Sequence, residues 1–108
     1  MARAQRSPAS LPQPELLAAG AFSRLAQAVE GSRPQAELFE RMEDARRACE
    51  AAAARAESSD MRDLLINVQS ALRTWREVWP RLGTEQPFRL AVAREARLWA
   101  KRLGGVDG

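Results

Sequence analysis

The chain has no histidine and no tyrosine, a single cysteine at Cys49 and a single lysine at Lys101. Each absence closes a class of chemistry. Without histidine, no imidazole is present to serve as general base for a serine or cysteine nucleophile, and the Glu-x-x-His motif of carboxylate-bridged di-iron bundles cannot be completed. One cysteine excludes an internal disulfide, and its position inside an apolar stripe marks it as a small buried hydrophobe. No phosphate-cradling Gly-rich loop and no dinucleotide fingerprint occurs. No apolar run reaches the roughly 18 residues that a membrane-spanning helix needs. The densest acids, Glu37, Glu40, Glu43 and Asp44, are interleaved with Arg41, Arg46 and Arg47, so they read as a solvated charged face and not as metal ligands. The expectation is a protein without catalytic, metal or cofactor site.

What is present is helical periodicity. The 108 residues suit one small domain, and 45% hydrophobic with 29% charged residues is ordinary globular composition. Residues 1–13 hold Arg3 and Arg6 but no acid, and Pro8 and Pro12 interrupt any helix. They read as a disordered cationic arm rather than a targeting peptide. Residues 14–104 read as a helical domain and 105–108 as a frayed tail.

Pro14 and Glu15 suit the first turn of a helix, where the missing N–H costs nothing and a carboxylate meets the positive end of the dipole. Its stripe is Ala18, Phe22, Leu25 and Val29, with Gly31 as the C-terminal cap. Gly20 inside it either weakens the helix or admits a close backbone. Ser32-Arg33-Pro34-Gln35 has capping-box spacing and opens a second helix with the stripe Leu38, Met42, Ala45, Cys49, Ala52, Ala56. Glu37 to Arg41 and Glu43 to Arg47 form favourable four-residue pairs.

Ser58-Ser59-Asp60 contains no Gly or Pro, so one rod of about 69 Å over residues 34–79 is conceivable. Stripe phase argues against it. Continuing the second repeat places Ser59 and Asp63 at apolar positions, and a new stripe starts at Met61. The spacing predicts a helical hairpin, with Ser59 or Asp60 as the N-cap. The third stripe is Met61, Leu65, Val68, Leu72, Trp75, Trp79, flanked by Leu64, Ala71 and Val78. Its broad arc predicts the central helix, stopped by Pro80 and Gly83. A fourth helix begins near Thr84-Glu85-Gln86-Pro87, turns Phe88, Val92, Ala96, Trp99 and Leu103 inward, and ends at Gly104-Gly105. Glu95 falls at the edge of that core, where an ion pair with Arg102 or with an arginine on another helix is expected.

The expected fold is all-α: a small antiparallel four-helix bundle, with dimerisation as the alternative way to complete its core. Its strongest functional signal is charge. Residues 73–103 hold seven arginines and Lys101 against three glutamates. Arg94, Arg97 and Lys101 form an outer stripe with Leu90, extended by Arg89, and Trp79 near the end of the third helix offers an aromatic anchor. The expectation is a non-enzymatic interaction module in the cytoplasm, an adaptor, regulatory subunit or assembly factor. It contacts a protein partner through Trp79, Arg89, Arg94, Arg97 and Lys101. The alternative is nucleic-acid association through the same stripe and the arm. A homodimer is a further partner to consider, and a membrane is not.

Overall fold

Pro14 and Glu15 open helix α1 (Pro14–Glu30) in the computed structural model, which describes residues 14–104. The arm at residues 1–13 and the tail at 105–108 lie outside the described residues. Three more helices follow: α2 (Gln35–Arg55), α3 (Ser59–Leu82) and α4 (Gln86–Gly104). Among the described residues there is no strand, and the fold is all-α. Among the described residues no helix is long and apolar enough to cross a membrane.

The turns are built differently from the sequence expectation. At the end of α1 the left-handed residue is Ser32, at φ 55°, and not Gly31. The Ser32 N–H donates to the Val29 carbonyl and the Arg33 N–H to the Ala28 carbonyl, the paired bonds of a Schellman closure. Ser32 therefore cannot also cap α2. That position falls to Pro34, which has no side-chain bond to offer, and its carbonyl accepts from the Glu37 and Leu38 N–H groups. A Cβ-bearing residue in the left-handed region is strained by about 1–2 kcal/mol. Ser32→Gly is expected to raise stability by about 0.5–1 kcal/mol, read as a higher urea midpoint at constant slope. An unchanged or lower midpoint counts against this account of the turn.

Between α2 and α3 the chain does break, so residues 34–79 are a hairpin and not a rod. Ala56 leaves the helix in extended geometry, and Ser58 caps α3, its hydroxyl accepting from the Met61 N–H at 3.0 Å. The cap stands one residue earlier than Ser59. Pro80 lies inside α3 instead of stopping it, and the helix runs on to Leu82. A proline this near the C-terminus removes one ladder bond and leaves little helix beyond it to disrupt.

Core assembly differs from expectation in one important way. The central helix is α1 and not α3. Helix α1 packs against both α2 and α4, α2 packs against α1 and α3, and α3 and α4 touch only sparingly. The cause is in the small residues of α1. Ala18, Ala19, Ala21, Ala26 and Ala28 are buried beside Phe22, Leu25 and Val29, so the buried arc extends around both flanks of the stripe. Alanines let neighbouring backbones approach closely on two sides at once. Helix α4 answers with Ala93 and Ala96 buried around Val92. Gly20 takes no part in this packing, for a Cβ there meets only the Arg24 side chain. Gly104 does, facing the Ala19 Cβ and the Leu16 side chain.

Leu38, Met42, Ala45, Cys49 and Ala52 of α2 join Leu65, Val68, Leu72 and Trp79 of α3 in the same core cluster. No charged or polar side chain is buried among the described residues. Cys49 is fully buried, and desolvation pushes its thiol up to about 12. At pH 8 that leaves about one thiol in ten thousand ionised. A thiol reagent at pH 8 is expected to leave the folded chain unlabelled and to label it fully in denaturant. Rapid labelling of the native protein is incompatible with this placement.

Candidate functional site

The five residues singled out from the sequence do not form one surface. Trp79, which belongs to the third apolar stripe and was also expected as a partly exposed anchor, is only 3% exposed. Its ring stands 5.3 Å from that of Phe88 in a tilted arrangement and lies over Gly83, where an added Cβ would collide with the indole at Nε1. Gly83 has ordinary right-handed helical geometry, so its lack of a side chain serves close approach and not backbone freedom.

Arg89 belongs to the same structural knot. Its guanidinium donates to the Gly83 carbonyl at 2.9 Å and to the Val29 carbonyl at 3.0 Å, and sits 5.6 Å from the Trp79 ring. It thereby satisfies carbonyls at the ends of α1 and α3, which helix geometry leaves without intrahelical donors. Helical spacing contains the signal for this. Five residues separate Arg89 from Arg94, about 140° of rotation, which sets it off the outer stripe.

Arg97 is exposed but engaged. It forms a two-point ion pair with Glu30 of α1, at 2.7 and 3.0 Å. The hydrogen bond from Arg97 is the main reason the Glu30 carboxyl is held below the usual carboxylate range. Both side chains are nearly half exposed, so the pair is worth about 0–1 kcal/mol.

Arg94 and Lys101 remain. Both are exposed, and neither forms an ion pair among the described residues. Beside them are two leucines: Leu90 is 51% exposed and Leu98 47%. Leu90, Lys101, Arg94 and Leu98 fall within about 80° of rotation on α4, directed away from the core. Leu98 was not picked out from the sequence, although its eight-residue spacing from Leu90 was available. Glu95 is exposed beyond Leu98 without an ion pair among the described residues, whereas a pair with Arg102 or with an arginine on another helix was expected. Arg102 stands over the half-buried Trp99 ring at 5.2 Å.

Most charges of α2 are paired along the helix, in contrast. Glu43 receives Arg46 at 2.8 Å and Arg47 at 3.2 Å, and these bonds, Arg46 first, hold its carboxyl at about 2. The expected Glu37–Arg41 contact is also present, at 3.9 Å. Arg76 of α3 stands over the Phe39 ring of α2 at 5.0 Å. Among the described residues no group of three or more Cys, Asp or Glu is gathered as a metal site.

Compared with protein-family models, curated proteins and solved structures, the chain matches none.

Proposed function

We propose that this chain is a small non-enzymatic interaction module of the cytoplasm, serving as an adaptor, regulatory subunit or assembly factor. It is an antiparallel four-helix bundle, and it engages a protein partner through the outer face of α4. The observation that carries the reading is the pairing of half-exposed Leu90 and Leu98 with the unpaired cations Arg94 and Lys101. Half-exposed leucines with cations between them that have no internal counter-charge suit a partner surface offering both apolar and acidic groups. The antiparallel reading draws support from Gly104 lying near Leu16 and Ala19 while Arg89 meets Val29, so opposite ends of α1 and α4 coincide. Trp79 and Arg89 act within the fold, and Arg97 borders the contact face.

The test is affinity capture from the native cell with nuclease present, comparing the natural chain with Arg94→Glu/Lys101→Glu. A partner set that survives nuclease and disappears with the double reversal is expected. Retention of the same set by the variant overturns the surface assignment.

The second reading, nucleic-acid association, draws on the same free cations together with Arg102. It requires affinity that falls steeply with salt for any sequence, because neutralised phosphates release counterions. A filter-binding series from low to moderate salt decides it, and no retention at low salt ends it.

A further inference from the structure

Three pairs of helices pack closely, α1 with α2, α2 with α3 and α1 with α4, whereas α3 and α4 meet only sparingly. Their ring contact, Trp79 with Phe88, stands beside the connecting turn. Farther along, α3 carries a second apolar line at Leu64, Ala71, Trp75 and Val78, all half-buried, and Leu82, which is 37% exposed. These five fall within about 60° of rotation. Arg76, over Phe39 of α2, marks the opposite flank of the helix. Helix α4 borders the same seam with half-buried Phe88 and Trp99, eleven residues apart as Leu64 and Trp75 are.

Glu95 and Arg102 form the rim of this seam on α4. Both are exposed, and neither forms an ion pair among the described residues. They are seven residues apart, about 10 Å along one line of the helix, and Arg102 rests over the Trp99 ring at 5.2 Å. Arg94 and Lys101 each precede them by one residue and so stand about 100° round the helix, at the solvent side, with Leu98 between the two lines. An acidic occupant of the seam meets Glu95, and a basic one meets Arg102. A line with an acid at one end and a base at the other is its own complement when reversed. A two-fold axis at its midpoint, beside Trp99, sets each acid opposite the other copy's base.

We infer that a second copy of this chain covers the α3–α4 seam, with the two α4 helices antiparallel and Glu95 of each protomer facing Arg102 of its partner. Burial of the half-exposed apolar lines supplies the attraction, with Trp99 close to the axis where interface tryptophans contribute most. The two symmetric ion pairs fix direction and register. The surface lies beside the one proposed above for a protein partner and does not depend on it.

Sedimentation equilibrium of the full chain from micromolar to millimolar concentration reads the association, and a reversible shift from one chain to two is expected. Glu95→Arg and Arg102→Glu should each weaken the dimer at least tenfold. The double variant Glu95→Arg/Arg102→Glu should recover the natural affinity to within about threefold, because both contacts are restored with their signs exchanged. Mixing the two single variants should give a heterodimer from two monomers, since each position then meets its opposite. On the natural chain labelled with nitrogen-15, dilution should move amides of residues 64–82 and 88–102. A single-chain mass at every concentration, a dimer indifferent to either reversal, no recovery in the double variant and the mixture, or dilution shifts centred on α1 or α2 each overturn the inference. Should a variant fail to fold, the mass and the dilution map of the natural chain decide alone.

Discussion

Phe22→Ala is expected to cost about 3–5 kcal/mol, the range for removing a large aromatic from a packed core. Phe22 has no exposed surface and sits in the middle of α1, the helix that both α2 and α4 pack against. Its loss removes apolar burial and leaves a cavity whose walls belong to several helices, so no single segment can shift to fill it. A domain of this size has total stability on the order of 5–15 kcal/mol, so the loss takes a large share of it. Leu17→Ala, on the same helix but 55% exposed, is the control and should change stability by less than about 0.5 kcal/mol. Urea denaturation of both variants checks the pair. Comparable losses at the two positions would place the core elsewhere than around α1.

The second large effect concerns Trp79 and Gly83 together. Trp79→Ala is expected to cost about 3–5 kcal/mol by the same cavity argument, together with the Phe88 and Arg89 contacts. Gly83→Ala is expected to cost about 1–3 kcal/mol, because its Cβ falls within the van der Waals radius of the buried indole. Helix propensity alone would make Gly83→Ala favourable, so the sign of this single substitution already separates packing from backbone effects. The double variant should be more stable than the sum of the two losses predicts, by at least about 1 kcal/mol, since the colliding ring is gone. Additive losses would mean that glycine is required at position 83 for some reason other than the indole. Trp79→Ala should also weaken partner capture only in proportion to unfolding, which distinguishes a core residue from an anchor.

Much of this architecture is legible in the amino-acid order. Pro14 and Pro87 mark helix starts because a residue without an N–H loses nothing in the first turn. The phase jump at Ser58–Asp60 marks the hairpin because side chains cannot change faces without a break. Relative placement of the helices is harder to read. The wide arc of α3 suggested a central role, yet an arc shows only how much of a helix is apolar and not what covers it. The buried flanks of α1 are alanines, which a search for bulky stripes passes over. Ser32 and Pro34 illustrate another limit. Cap chemistry is ambiguous where a turn offers several polar residues, and only the backbone path decides which one serves. At the α4 face the cations were evident from composition, while the engagement of Arg97 with Glu30 spans most of the chain and has no local signature.

The partnership of α1 with α4 bears on how the polypeptide acquires its structure. Of the four described helices, α1 is made before the others yet finds one of its two neighbours only in α4, so the intervening hairpin must wait with its companion half covered. Contacts this distant along the chain slow the rate-limiting step and tie all four segments into one cooperative transition. A nascent chain halted before Gln86 lacks a cover for the alanine flank of α1, and that flank is where chaperones or unwanted association would first find purchase.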